Sequence, residues 1–331
     1  MTRPSDEELM RQAFAAAATV RRSTAPNPWV GAALLLKDGT VVLGATEPPG
    51  KRHAEIVALA ASAPEHVKGA TLATTLEPCC TEGRTGACTD AIIKAGIARV
   101  IVAVLDPDAK VAGRGIAALR EAGIEVEVGH LAQEVALQLR PYLHHRSTGR
   151  PEVTLKMAAT LDGRTAAPDG SSKWITGEAA RADAHELRAD AQMVIVGAGT
   201  VRADDPELTV RLADYEGPQP QRLVLGDIPL GAKVLPARSY RGALGDLLDT
   251  LGAEGILSVL VEGGATVASQ FHHQGLVDRY VVYLAPAIMG GSDGRGLFEG
   301  PGAASMAELW RGDVTSCCMV GEDLRVEVVR K

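Results

Sequence analysis

His53-Ala54-Glu55, followed downstream by Pro78-Cys79-Cys80-Thr81-Glu82-Gly83-Arg84-Thr85-Gly86-Ala87-Cys88, supplies the residue types from which a catalytic zinc site is built. An imidazole at 53 and thiolates at 79 and 88 would cancel the charge of the ion and leave its fourth position open for water. Cys79 could in principle pair with its neighbour Cys80, but adjacent residues bring their sulfurs to one ion poorly, and Cys88 is taken as the partner. Glu55 is read as the proton carrier, not as a ligand. Two positions apart on a regular helix point to different sides, so His53 and Glu55 have to sit at the irregular start of a helix.

Working outward, Ala70–Leu76 reads as a strand that delivers Glu77-Pro78-Cys79 at its C-terminal end, and a helix over about 88–95 is stopped by Gly96. Arg99–Leu105, a helix near 114–122 ended by Gly123, and Ile124–Val128 continue a β-α-β alternation, which implies parallel strands covered by helices. Upstream, Ser5 with Glu8 forms a capping box for a helix over 6–20, and Lys37-Asp38-Gly39-Thr40 between Val30–Leu36 and Val41–Gly44 marks a hairpin. The zinc elements thus fall where helices begin, and the positive end of a helix favours thiolate. A helical stretch around 132–143 is followed by Ser147-Thr148-Gly149, where the first domain, 1–147, gives way to a second, 148–331.

In the second domain, strands at Glu152–Ala158, Met193–Val196, 222–225, Leu257–Val261, Arg279–Leu284 and Leu324–Val329 alternate with helices at 178–189, 243–251 and 265–274. Val196-Gly197-Ala198-Gly199-Thr200 resembles part of a dinucleotide loop, although Arg202 breaks the full fingerprint. Glu262-Gly263-Gly264 is a second strand-to-helix turn able to admit a pyrophosphate; both can equally be ordinary tight turns. Arg181, Arg188 and Arg211 are candidate phosphate ligands or solvated charges, and Trp174 stacks on a flat ring or fills a core gap.

With 331 residues, 46% hydrophobic content and only 3% aromatics, the chain calls for two domains with cores of Ala, Val, Leu and Ile. A net charge of -7 without a basic block argues against a nucleic-acid surface and for a small-molecule substrate. No apolar run reaches membrane-span length and no basic leader precedes the first helix, so a cytoplasmic location and no membrane partner are expected. Five cysteines, with Cys79-Cys80 and Cys317-Cys318 adjacent, suit reduced thiols and a metal site better than a disulfide framework. Cys317 and Cys318 read as small apolar residues near a terminal strand.

The pattern H-x-E, P-C and a further Cys is that of zinc nucleobase deaminases, in which the ion activates water against a ring carbon bearing an exocyclic amine. Together with Pro26-Asn27-Pro28-x-Val30-Gly31, Thr75-Leu76-Glu77-Pro78-Cys79, Gly83-Arg84-Thr85 and Asp106-Pro107, it resembles the deaminase half of the bifunctional riboflavin-biosynthesis deaminase/reductase. Leu155-Lys156, Leu161-Asp162-Gly163-Arg164, Trp174-Ile175-Thr176, Gly199-Thr200-Val201, Asp204-Asp205-Pro206, Leu208-Thr209-x-Arg211 and Glu262-Gly263-Gly264 resemble its reductase half. The resemblance implies a cytidine-deaminase-like three-layer α/β domain followed by a dihydrofolate-reductase-like α/β domain. It implies one zinc ion per chain, NADPH, a phosphorylated pyrimidine substrate and a homo-oligomer. The first half would deaminate 2,5-diamino-6-(5-phosphoribosylamino)pyrimidin-4-one and the second reduce its ribosyl chain to ribityl.

Carried over by position, the resemblance assigns His53, Cys79 and Cys88 to zinc, Glu55 to proton transfer and Asn27 to the pyrimidine pocket. Ala158, Trp174, Thr200, Asp204 and Gly264 match cofactor positions, and Ser172, Arg188, Leu208, Arg211 and Glu262 match substrate positions. The chain departs from the family at Thr46, where a His is usual, at Cys80-Thr81-Glu82, where a His-containing triplet is usual, and at Gly226, where a Ser is usual. The segment between Gly226 and Leu257 is also short, as if a strand were missing or merged around Val234–Tyr240. Competing readings are a diverged paralogue with only one active half and a deaminase of another base or nucleoside.

Overall fold

The computed structural model describes residues 3–81 and 86–331. The Gly83-Arg84-Thr85 motif lies outside the described residues. The chain forms two compact units, Met1–Gly149 and Arg150–Lys331.

In the first unit, helix α1 (Asp6–Ala18) opens at Ser5, whose Oγ accepts from Glu8 N at 3.3 Å while its own N donates to the Glu8 carboxylate at 2.7 Å. Its buried Leu9, Met10, Ala13 and Ala17 repeat at helical spacing and pack on strand β1 (Gly31–Leu35). Strand β2 (Val41–Ala45) pairs antiparallel with β1 across a turn in which Gly39 has φ +90° and Thr40 N donates to Asp38 Oδ1. Helices α2 (Ala54–Ala60) and α3 (Pro64–Val67) lead to strand β3 (Thr71–Leu76), buried at all six positions as a central strand requires. Then come α4 (Cys88–Lys94), β4 (Arg99–Val104), α5 (Arg114–Glu121), β5 (Glu125–Val128), α6 (Ala132–Gln138) and α7 (Arg140–Thr148).

The strand order is β2-β1-β3-β4-β5, with β1 antiparallel to its neighbours and β3, β4 and β5 parallel. Helix α2 lies directly on β2 because Gly44 has no side chain: a Cβ there would stand 2.1 Å from the Ala54 carbonyl oxygen. This close approach fixes the start of α2, where the zinc motif sits.

The second unit begins with β6 (Glu152–Thr160) and β7 (Arg164–Ala166), then α8 (Glu178–Asp190), β8 (Met193–Gly197), α9 (Ala198–Asp204), β9 (Gln221–Leu225), β10 (Arg238–Tyr240) and α10 (Leu244–Ala253). It ends with β11 (Ser258–Val261), α11 (Ala265–His273), β12 (Arg279–Ala285), β13 (Arg295–Gly296), β14 (Gly312–Val320) and β15 (Asp323–Arg330). Eight strands form one sheet in the order β10-β9-β8-β11-β6-β12-β15-β14, and β13 pairs separately with β7. The first six are parallel; β15 is antiparallel to both β12 and β14.

Three features differ from the sequence reading. The strand expected to be missing or merged around Val234–Tyr240 survives as the three-residue β10 at the sheet edge, parallel to β9. Gly199 and Thr200, read as a loop, begin the short helix α9, because the turn that follows a buried parallel strand here passes straight into helix. Strand β14 has no counterpart in the sequence reading: its burial shows no clean alternation, and Cys317 and Cys318 are exposed on it.

Candidate active sites

Strand β2 and the following loop bring His53 to the N-cap of α2 in extended conformation, φ -78° and ψ 162°, and Glu55 falls in the first turn. The break in backbone at the cap is what lets residues two apart converge. Strand β3 delivers Cys79, and Cys88 is the first residue of α4. The ligand atoms of His53, Cys79 and Cys88 all lie within 4.8 Å of one another. His53 Nδ1 is 3.3 Å from Cys88 Sγ and 3.6 Å from Cys79 Sγ, and Cys88 N donates to Cys79 Sγ at 3.4 Å. Cys80 turns away, its Sγ 3.7 Å from the Lys110 carbonyl oxygen.

The electrostatics follow from this crowding. The thiol of Cys79 is drawn down to about 4, chiefly by hydrogen bonding from Cys88 and then from His53, against burial. Cys88, holding its proton toward Cys79 in a buried setting, is pushed well up. His53 is raised, first by its bond with Cys79. Two sulfurs and one imidazole nitrogen converging at the foot of a cavity are the donors of a soft, four-coordinate site, and they suit zinc and not an oxygen-seeking cation. Glu55 is only 4% exposed, and burial pushes its carboxyl up to about 7.

His53, Glu55 and Cys79 line a cavity of about 540 Å³ together with Asn27, Thr46, Asp106, Lys110 and Arg146. Thr46 is tied to the Val30 backbone, accepting from its N at 3.2 Å and donating to its O at 3.3 Å. The residue that sequence reasoning missed is Glu77. Its Oε1 accepts from Gly115 N at 2.9 Å and Ile116 N at 3.2 Å, and its Oε2 from Gly113 N at 3.0 Å and Asp106 N at 3.3 Å. Helix α5, whose N-cap Gly113 has no side chain, is therefore capped from the strand that carries Cys79. An acid buried between an apolar strand and Pro78 was the available signal.

In the second unit, Arg188 and Glu262 form a bidentate pair, 13% and 9% exposed, and Arg188 Nη1 also donates to the Thr209 carbonyl at 3.2 Å. Burial works to raise Glu262, but Arg188 outweighs it and holds the carboxyl below its usual range. Lys156, on β6, is drawn down by burial and lies 5.9 Å from the centre of the Tyr283 ring. A lysine inside a largely apolar strand is an anomaly readable in the sequence, where Lys156 stands only as part of Leu155-Lys156 in the reductase resemblance. Thr200 and Gly264 are brought together: a Cβ on Gly264, the N-cap of α11, would lie 3.5 Å from Thr200 Oγ1. Asp204 reaches Lys173 Nζ at 3.4 Å, next to Ser172 and Trp174. Trp174 is 71% exposed with the Arg181 guanidinium 4.5 Å from its ring centre, so it fills no core gap.

Ala158 pairs with Tyr283 across β6 and β12. Leu208 is 3% exposed, packs in a core with Val196 and Val201, and holds φ +54°, which leaves its backbone and not its side chain for any ligand. Arg211 is exposed, with Nη1 3.3 Å from both Glu207 Oε2 and Thr209 Oγ1. The glycine turn at Gly263-Gly264, opening on the free N–H groups of α11, fits the pyrophosphate of a nicotinamide dinucleotide.

Residues 3–104 match the family described as the cytidine and deoxycytidylate deaminase zinc-binding region, and residues 151–326 match the RibD C-terminal domain. The riboflavin biosynthesis protein RibD of Bacillus amyloliquefaciens is 39% identical over 360 residues, covering 98% of this chain and 96% of its own. That of Mycobacterium tuberculosis strain H37Rv is 41% identical over 336 residues, covering 99% and 98%. The fold superposes on Acinetobacter baumannii RibD with TM-score 0.91 at 36% identity, covering 98% of this chain and 99% of the other. It superposes on the Thermotoga maritima diaminohydroxyphosphoribosylaminopyrimidine deaminase/5-amino-6-(5-phosphoribosylamino)uracil reductase with TM-score 0.87 at 32% identity, covering 98% of both. A zinc-binding deaminase region and a RibD C-terminal domain in one chain, matched along nearly its whole length by these relatives, establish that the chain belongs to the RibD family of riboflavin-biosynthesis proteins.

Proposed function

We infer that the chain is a bifunctional enzyme of riboflavin biosynthesis, deaminating the diaminopyrimidine ribosyl phosphate in its first unit and reducing the ribosyl chain in its second. The observation that carries the reading is the convergence of His53, Cys79 and Cys88 beside a buried Glu55, in a chain whose remainder is a RibD C-terminal domain.

His53, Cys79 and Cys88 would hold the zinc ion, which when bound supplies Lewis acidity that makes water a nucleophile near neutral pH. Glu55, raised toward neutrality by burial, can both accept and return a proton, first to the ring nitrogen and then to the departing amine. Asn27 lines the same cavity and would orient the pyrimidine. In the reductase unit Ala158, Trp174, Thr200, Asp204 and Gly264 would hold the cofactor, NADPH, which when bound would supply the hydride. Ser172, Leu208, Arg211 and the Arg188–Glu262 pair are assigned to the substrate, where the pair holds both charges in a fixed, buried geometry.

The substrate is small, and among the described residues no helix is long and apolar enough to cross a membrane. A cytoplasmic homo-oligomer that engages no nucleic acid is the working form; the exposed strand β14 at the sheet edge is in keeping with self-association. The test is incubation of the zinc-loaded chain with the diaminopyrimidine ribosyl phosphate, with and without NADPH, followed by mass spectrometry and ammonia measurement. Ammonia without NADPH and a ribityl product with it are expected. Ammonia alone would mark a paralogue with one active half, and release only from cytidine would mark a deaminase of another base.

A further inference from the structure

We propose that Lys51 and Lys110 form an anion-binding mouth to the deaminase cavity and take the terminal phosphate of its substrate; this rests on the deaminase reading of the first unit. The two lysines come from separate loops, Lys51 between β2 and α2 and Lys110 between β4 and α5, yet both line the cavity that contains His53, Glu55 and Cys79. The lining runs from the buried carboxylate of Glu55 to these two exposed side chains. A substrate with a reacting ring at one end and a phosphate at the other has the same polarity.

Among the described residues, four carboxylates around the cavity are already engaged. Glu77 is spent on four backbone N–H groups. Asp106 accepts from Tyr142 Oη and Asp108 N, both at 2.9 Å. Asp108 accepts from the backbone of Lys110 and faces Arg146 Nε at 3.7 Å. Glu47 is held by Arg52 at 2.6 and 3.0 Å. Among the described residues neither ammonium of Lys51 nor of Lys110 has a carboxylate within ion-pair distance. Arg146, stacked 5.1 Å from the centre of the Tyr142 ring and shared with Asp108, adds positive charge to the same wall. Two lysines that line one cavity, one of them sharing the field of Glu47 with Arg52, supply point charges suited to a phosphate, which carries up to about two negative charges and three acceptor oxygens.

The experiment measures ammonia release by the zinc-loaded full chain from the diaminopyrimidine ribosyl phosphate and from its dephosphorylated form. The unaltered protein is expected to favour the phosphorylated substrate in kcat/KM by about tenfold or more. Lys51→Ala and Lys110→Ala should each raise KM for that substrate roughly fivefold to tenfold and shift kcat far less, as the loss of one charge-assisted hydrogen bond requires. The double variant should bring the two substrates near parity, Lys→Arg at either position should keep the preference, and added salt should erode it. Zinc content of each variant separates loss of the mouth from loss of the fold. Equal use of both substrates by the unaltered protein, or a double variant that keeps the preference, would overturn the proposal and leave the lysines as solvated surface charges. No deamination of either substrate by zinc-loaded protein would instead overturn the deaminase reading itself.

Discussion

Arg188 and Glu262 close on one another through two hydrogen bonds, Nε to Oε1 at 2.5 Å and Nη2 to Oε2 at 2.9 Å, with both side chains buried. Because the folded state holds the Glu262 carboxyl below its unfolded range, the pair stabilises the fold fully above the unfolded value, about 4.3, and the contribution fades as pH falls through the lower folded value. Thermal melts between neutral pH and the acid limit should show the second unit losing stability below that point. Removing one partner strands the other: Glu262→Ala should cost about 3 kcal/mol or more in denaturant unfolding, and Glu262→Gln should flatten the acid limb.

Glu77→Ala removes the acceptor for four buried N–H groups at the start of α5 and is expected to cost about 3 kcal/mol. Amide hydrogen exchange checks it locally: Gly113, Gly115 and Ile116 should lose protection while the strand partners of β3 keep theirs. Unchanged exchange at those three amides would contradict the capping role.

Glu55→Gln keeps the shape of a buried side chain and removes the titrating group. Deamination should fall by about a hundredfold or more, with zinc per chain unchanged by elemental analysis. NADPH-dependent reduction of the already deaminated substrate should be unaffected.

Metal retention distinguishes the cysteines. Cys79→Ser and Cys88→Ser should lower zinc content and speed loss to a chelator, whereas Cys80→Ser, whose sulfur faces the Lys110 carbonyl and not the triad, should retain full loading. A Cys80 variant that comes out zinc-free would redraw the site.

Gly44→Ala would place a methyl 2.1 Å from the Ala54 carbonyl, forcing α2 off β2. A loss of about 2 kcal/mol of stability is expected, with weaker zinc retention because His53 caps that helix.

Much of the first unit was legible because its signals are local. Ser5 with Glu8, and Asp38 with Gly39, each specify a cap or a turn within four residues, and both occur as read. The choice of Cys88 over Cys80 rested on a simple limit of reach, and the sulfur positions agree with it. What escaped depended on partners distant in sequence. Glu77 acts on amides at 106, 113, 115 and 116, which only the parallel pairing of β3 with β4 brings near. Lys156 sits inside a strand whose neighbours β11 and β12 lie a hundred or more positions downstream, so nothing local explained a cation there. Strand β14 is stabilised by pairing with β15 and has too little alternation to announce itself.

The carboxylate that joins the Cys79 loop to the 106–116 segment also makes those two stretches a single heritable unit. A lineage that remodelled the wall to admit a different ring would disturb a sulfur donor in the same stroke, and most such changes would be purged for loss of metal. Innovation in what the hydrolytic half accepts is thereby channelled to residues outside both ends of that tether, such as the cavity-lining stretch between β2 and α2 that carries Lys51.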